Sequence, residues 1–309
     1  MPKILLTGGS GFLGKALLEH PSFHGALVVG RSPPCQGVRF LPISLDPSSD
    51  YTQILSDIDI LVHVAARAHV MDEMSDNPLQ EYRNINTLAT LNLAKQAANN
   101  GIKRFIFISS IKVLGEQTKL GRPFTSEDPF NPQDPYSISK AEAEIGLKNL
   151  VKESNMEVVI IRPPLVYGKG VKGNFAKLLK LAALQIPLPL RSIKNRRSLV
   201  GLENLVDLIS ICLEHQKAKN ETFLVSDDHD MSTPELLALI SKTGRYKSRL
   251  FKCPPSLLLA MFSCIGKSGI YERLCGSMHV DITHTKKQLN WSPPFTPEDC
   301  LGNCWFDRV

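Results

Sequence analysis

Lys3-Ile4-Leu5-Leu6-Thr7-Gly8-Gly9-Ser10-Gly11-Phe12-Leu13-Gly14-Lys15-Ala16-Leu17-Leu18 is the stretch on which the fold turns. Its short apolar run has no polar alternation, as expected of a strand covered on both faces. The run passes directly into glycines and then into apolar residues at helical spacing. Gly8, Gly11 and Gly14 permit a tight turn, close backbone approach to a pyrophosphate, and close packing of helix on strand. The helix start, with Phe12 and Leu13, then offers unpaired N–H groups to an anion. The arrangement predicts a dinucleotide bound at the first strand-to-helix turn.

Outward from this turn, strand-like and helix-like segments alternate. Strands are predicted at Lys3–Thr7, Ala26–Val29, Ile58–Val64, Arg104–Ser109 and Val158–Arg162, with helices from Gly11, from Pro78 to Asn99 and from Tyr136 to Glu153. That order predicts an α/β fold with a doubly wound parallel sheet of Rossmann type. After Arg162 prolines gather, one late strand reads at Thr222–Val225, and from Ser232 the segments are helical and punctuated by proline. The expected division is a nucleotide-binding domain of residues 1–166 plus about 196–226. The smaller, mostly helical C-terminal substrate lobe would take about 167–195 plus 227–309.

The composition fits that picture. A chain of 309 residues, 43% hydrophobic and 21% charged, buries a large core and excludes disorder. Its net charge of +6 is spread too thinly for a nucleic-acid footprint. Seven cysteines without a Cys-x-x-Cys pair suit reduced thiols. The longest apolar run, Leu257 to Ile265, is about half a membrane span and is expected as a helix buried in a lid or an interface. A cytoplasmic protein without a membrane anchor is the expectation. His63 and His69 lack partners at metal spacing, so no metal site is expected.

The second strand ends in Val28-Val29-Gly30-Arg31-Ser32, where an acid would hold the ribose of NAD. Gly30 leaves room for a 2′-phosphate and Arg31 with Ser32 could bind it, which favours NADP(H) while leaving NAD(H) open. Tyr136-Ser137-Ile138-Ser139-Lys140 sets a phenol and an ammonium on one helical face, about 6 Å apart along the axis. Lys140 can then reach the cofactor ribose and lower the phenol pKa of Tyr136, so that the tyrosine exchanges a proton with a sugar hydroxyl. The strand Phe105–Ile108 ends in Ser109-Ser110, at the carboxyl edge where ligands bind in such sheets.

With these motifs together, the chain resembles the extended short-chain dehydrogenase/reductase family, in its nucleotide-sugar epimerase, dehydratase and ketoreductase branch. The likeness includes Gly8-x-x-Gly11-x-x-Gly14, His63-Val64-Ala65-Ala66, Asn86, Ser109-Ser110-x-x-Val113-x-Gly115, Tyr136-x-x-x-Lys140, Arg162-Pro163-x-x-Val166-Tyr167-Gly168 and a terminal Asp281 to Trp291-Ser292-Pro293. The resemblance implies Tyr136 as acid/base, Lys140 on the ribose and Ser110 orienting the reacting oxygen. It further implies cofactor contacts from Asp46, Ala65, Ala66, Asn86 and Pro163. Asn174, in Gly173-Asn174-Phe175, and Arg197 match residues that grip a nucleotide diphosphate, so a UDP-sugar is the implied substrate. A homodimer is also implied, through the helices from Pro78 and Tyr136, with Ala97-Ala98 and Ala141-x-Ala143 permitting close approach.

Departures from the family pattern narrow the reaction. Ile111 and Lys112 replace the Asp-Glu with which dehydratases expel water, which argues against a 4,6-dehydratase and puts Lys112 on the substrate side. Leu114 and Leu165 depart from the standard UDP-galactose 4-epimerase pattern. What remains is hydride transfer at C4 of a UDP-hexose, expected to be a UDP-N-acetylhexosamine of surface polysaccharide (O-antigen) synthesis. Gly30-Arg31 tilts the expectation toward a 4-ketoreductase, with a UDP-glucose or UDP-GlcNAc 4-epimerase as the alternative. Reduction of a non-nucleotide carbonyl and a non-catalytic regulatory role are the remaining readings. Asn174 and Arg197 speak against the first, and the complete Ser110, Tyr136 and Lys140 set against the second.

Overall fold

The computed structural model describes residues 2–68, 77–264, 266 and 268–305. His69, named above as a non-ligand, and Ile265, at the end of the apolar run, lie outside them. Seven strands form one parallel sheet: β1 (Ile4–Thr7), β2 (Leu27–Gly30), β3 (Arg39–Pro42), β4 (Ile60–His63), β5 (Arg104–Ile108), β6 (Glu157–Arg162) and, after a short pair β7 (Leu165–Tyr167) and β8 (Leu199–Gly201), β9 (Thr222–Leu224). Their order is β3-β2-β1-β4-β5-β6-β9. The order reverses at β1, and Thr7 lies level with Val29 of β2 and His63 of β4. A crevice for ligands opens where the carboxyl ends diverge.

The continuous apolar strands are explained by two buried faces. Ile4, Leu6, Val28, Val62, Ile106, Val159 and Ile161 pack on one side, beneath α1 (Phe12–Glu19). Their neighbours Leu5, Val29, Leu61, Phe105, Phe107, Val158 and Ile160 pack on the other. There the cover comes from the short α2 (Thr52–Leu55), from α4 (Thr90–Asn99), which is reached through α3 (Pro78–Tyr82) and a π-helical stretch Arg83–Ala89, and from α5 (Pro135–Glu153). Edge strand β3, Arg39-Phe40-Leu41-Pro42, carries no long apolar run, and periodicity alone does not reveal it.

The second body contains α6 (Gly173–Ala183) and the helices α8 (Thr233–Thr243), α9 (Pro255–Cys264), α10 (Ser268–Cys275) and α12 (Pro297–Asn303). The β7–β8 pair lies between the cores, Val166 and Val200 on the first and Leu165, Tyr167 and Leu199 on the second body. Between β8 and β9, α7 (Leu202–Cys212) packs beside α1. Packing adds detail to the expected division. Val280, Ile282, Leu289 and Trp291, around α11 (Thr283–Leu289), join the first core of the large sheet. That stretch packs with the nucleotide-binding sheet beside β9, where Thr285 Oγ1 donates to the Leu224 carbonyl at 2.6 Å. The apolar run forms α9 as foreseen, and within the single subunit only Leu258 is buried, while Leu257, Leu259 and Met261 are 54%, 42% and 53% exposed.

Candidate active site

The glycine-rich turn closes tightly, with the Gly11 amide donating to the Gly8 carbonyl at 3.0 Å. Gly8 adopts φ +77, and a Cβ there would stand 2.6 Å from the Ala65 nitrogen. A Cβ on Gly14 would stand 2.1 Å from the Gly8 carbonyl oxygen, so bare glycine is what lets α1 press against the turn. No side chain caps α1 at Gly11, and its first amides, with Phe12 half-buried and Leu13 buried, open toward the crevice end of β1. Beyond β2, Gly30 faces open space and Arg31 is exposed. These features fit a nicotinamide dinucleotide with its pyrophosphate on the α1 amides and its adenosine end toward Arg31.

Behind the turn is a support that motif reading passes over. Thr7 Oγ1 bonds His63 Nδ1 at 2.8 Å, His63 Nε2 bonds Thr90 Oγ1 at 2.9 Å, and Ala65 N donates to Thr7 Oγ1 at 3.3 Å. His63 is buried and stacks on Phe107, and desolvation drives its pKa down to about 3. It is a neutral strut. The half-buried Ala65 and Ala66 line the loop after β4, and Asn86 fixes that loop by accepting from Arg67 N at 2.8 Å and donating to Arg67 O and Ser139 Oγ. The Asn86 amide is thus engaged within the protein, positioning the loop against α5. Asp46 lies exposed beyond β3, where Ser48 hydrogen bonds hold its carboxyl below the usual range. The Pro163 carbonyl accepts from Ile111 N at 3.0 Å, joining the end of β6 to the segment after β5.

Ser110, Tyr136 and Lys140 come together at the carboxyl end of β5. Ser110 caps the short turn Ile111–Val113 by accepting from Lys112 N at 3.3 Å. Asp134 caps α5 in a reciprocal box with Ser137, fixing the turn that carries Tyr136. Lys140 Nζ is buried, donates to the Ile108 carbonyl at 2.8 Å and lies 4.3 Å from the Phe107 ring centroid. Desolvation brings its pKa down to about 7, against the pull of Glu144.

The phenol departs from expectation. Burial and the Asp134 carboxylate push Tyr136 up to about 12, with the Ser110 hydroxyl pulling the other way. In this arrangement Lys140 is turned into the Ile108 carbonyl and does not offset that rise. Lys112 also has a different setting from the one its motif suggested. Its ammonium bridges Asp134 at 2.7 Å and Glu116 at 3.1 Å, tying the Ser110 turn to the start of α5.

Sequence reading also missed Glu144, one turn beyond Lys140 on the same helical face. It is fully buried, accepts from Ser109 Oγ at 2.5 Å and forms a bidentate pair with Arg162. The i, i+4, i+8 spacing of Tyr136, Lys140 and Glu144 was the available signal. In the second body, Asn174 is exposed in the first turn of α6, whose N-terminus has no side-chain cap. Half-buried Arg197 donates through Nη1 to the Arg273 and Gly276 carbonyls at 2.6 and 3.2 Å. One arm of its guanidinium is therefore committed to holding α10. Among the described residues, no cluster of His, Cys, Asp and Glu could hold a metal ion.

A glycine turn at the first parallel strand, with Ser, Tyr and Lys at the crevice, defines a nicotinamide-dependent enzyme of the extended short-chain dehydrogenase/reductase class. The chain belongs to the NAD dependent epimerase/dehydratase family, whose model matches residues 4–226. It is 47% identical over 306 residues to a UDP-glucose 4-epimerase of Vibrio cholerae, covering 97% of this chain and 93% of that one. Its fold matches that of a UDP-N-acetylglucosamine 4-epimerase from Bacillus cereus, with TM-score 0.78 at 19% identity over 98% and 97% of the two chains. The Bordetella bronchiseptica enzyme WbmG, solved in complex with NAD, gives TM-score 0.75 at 20% identity over 100% and 94%.

Proposed function

We propose that the protein is a UDP-sugar 4-epimerase, with UDP-glucose or a UDP-N-acetylhexosamine as substrate. The observation that carries this reading is the 47% identity over 97% of the chain to a UDP-glucose 4-epimerase, joined to an intact Ser110, Tyr136 and Lys140 set. It replaces the ketoreductase emphasis of the motif reading, which rested on Gly30-Arg31 and on the departures at Leu114 and Leu165.

In this reading Tyr136 takes the proton of the sugar C4 hydroxyl while Ser110 shares the same oxygen. The bound nicotinamide supplies a reversible hydride acceptor. Tyr136 begins with its phenol pushed up to about 12, so it must be brought down for base catalysis. Lys140 is the group that does so once its ammonium turns from the Ile108 carbonyl toward the ribose, where it also faces the phenol. Lys112 holds Ser110 and Tyr136 in register through Asp134. The uncapped start of α6 with Asn174 and the remaining arm of Arg197 hold the diphosphate. After the 4-keto sugar turns over, Tyr136 returns the proton to oxygen on the opposite configuration.

The test is incubation with UDP-glucose, UDP-galactose, UDP-GlcNAc and UDP-GalNAc without added reductant. Interconversion within a pair supports the epimerase. Stoichiometric NAD(P)H consumption confined to a 4-keto-6-deoxy sugar nucleotide would instead establish net reduction. Arg31, exposed beside the open Gly30, is what keeps that second reading specific. A homodimer through α4 and α5 is part of the proposal. The face for it differs from the motif reading, since Ala97, Ala141 and Ala143 are buried within the subunit. Leu88, in the π-helical stretch that leads into α4, and Ile145 of α5 are exposed large apolar residues there, at 44% and 46%.

A further inference from the structure

The second body carries an apolar helix on its outside. Helix α9, Pro-Ser-Leu-Leu-Leu-Ala-Met-Phe-Ser-Cys, has no charged residue, yet Leu258 is its only buried one. A helix that is apolar all round is ordinarily buried. Here Leu257, Leu259 and Met261 face solvent, and Phe251, just upstream, is 48% exposed. The segment before the helix runs alongside residues 188–191, with the Arg249 and Phe251 backbones bonding Leu188 and Arg191. Alternation along it turns Leu250 into the small core and Arg249 and Phe251 outward.

The sequence that leads into this patch carries charge of one sign, and the exposed Glu272 follows on α10, which packs against α9. From Leu236 to Tyr271 the sequence holds six basic residues and no acidic one, as many positive charges as the net +6 of the whole chain. Lys242 is paired with Glu298. Arg245, Lys247, Arg249 and Lys252 are all exposed, and they precede the apolar helix directly. An exposed apolar helix preceded by exposed positive charge matches a surface with an apolar interior beneath anionic headgroups. No helix among the described residues is long and apolar enough to span a membrane, so the contact would be peripheral.

We infer that the Arg245–Cys264 segment docks the enzyme on an anionic phospholipid surface, with α9 lying in the interface and the basic residues on the headgroups. The docking does not depend on which sugar is turned over, and a negative result would leave the proposed epimerase reading untouched.

The test is co-sedimentation of the whole protein with phosphatidylglycerol-containing vesicles and with pure phosphatidylcholine vesicles. Binding is expected only to the first, and it should fall steeply at about 0.5 M salt, where the screening length drops to a few ångströms. Two variants probe the two components, Leu257→Glu with Met261→Glu and Arg249→Gln with Lys252→Gln. Each pair should weaken vesicle binding by roughly ten-fold or more while kcat and KM for a soluble sugar nucleotide stay unchanged. Absence of binding to anionic vesicles, or binding that neither pair weakens, overturns the inference. So does loss of a solution dimer in the Leu257→Glu/Met261→Glu protein, which would give the face to a second copy. A raised KM in that protein would give it to substrate closure and likewise overturn the inference.

Discussion

Helices α5 and α9 invert each other. The nineteen residues of α5 are rich in polar side chains, yet Ser137, Ser139, Lys140 and Glu144 are all buried. The ten residues of α9 are almost wholly apolar, yet nine of them escape burial. Burying charge without partners is costly, and α5 meets that cost with specific acceptors: Ile108 O for Lys140, and Ser109 with Arg162 for Glu144. Helix α9 meets its opposite cost only through Leu258 and the half-buried Phe262, which pack on the small core. Each helix breaks the ordinary rule of burial at a place where a binding partner would account for it.

The largest expected effect tests the chemistry concentrated on α5. Replacing Tyr136 by phenylalanine should lower kcat by about 10²–10⁴-fold, measured by sugar interconversion, while nucleotide binding followed by fluorescence persists. A cut of less than a few-fold would remove Tyr136 from the acid/base role.

Next in size is the cost of stripping a partner from a buried charge. Glu144→Ala leaves Arg162 buried and unpaired, and urea unfolding should show a loss of about 3–5 kcal/mol. Pairing it with Arg162→Met should restore much of that loss. If the double variant is no more stable than the single, the ion pair is not what holds α5 to β6.

The lysine gives a pH signature. Its folded pKa, brought down to about 7, lies below the ordinary lysine value of 10.5. Between those values the unfolded chain binds more protons, so stability should climb as pH rises through that window. Lys140→Met should flatten the climb in nucleotide-free unfolding measurements at pH 7 and 9. His63, down to about 3 from 6.5, acts in the same sense at lower pH. Stability is lost as pH falls below about 6.5; retention of full stability at pH 4 would contradict the strut.

The smallest effect sharpens the contrast from the other side. Leu257→Glu should change unfolding stability by no more than about 0.5 kcal/mol, since the side chain is 54% exposed. A larger loss would mean that α9 is packed in solution.

How much was legible varied with how local the cause was. The glycine turn, the strand endings and Tyr136-x-x-x-Lys140 are set by backbone geometry and helical periodicity, and they lie where the sequence puts them. Arg197 could be matched to a motif, but its hold on the Arg273 and Gly276 carbonyls depends on a helix more than seventy residues away. The Glu144–Arg162 pair required β6 to lie beside α5, and the π-helical stretch Arg83–Ala89 is tied to α5 through Arg83–Glu142 and Thr87–Ser139.

The sequence by itself determined the parallel sheet, the dinucleotide turn and the helical spacing of Tyr136 and Lys140, because these follow from steric and periodic rules acting over a few residues. Tertiary structure alone decided the ionisation of those groups, since desolvation and neighbouring charges come from chain segments far apart in sequence. It also decided which apolar residues are hidden. The Val280–Trp291 stretch packs on the core of the large sheet beside β9, and most of α9 is left outside because the small core beneath it takes in only Leu258 and part of Phe262.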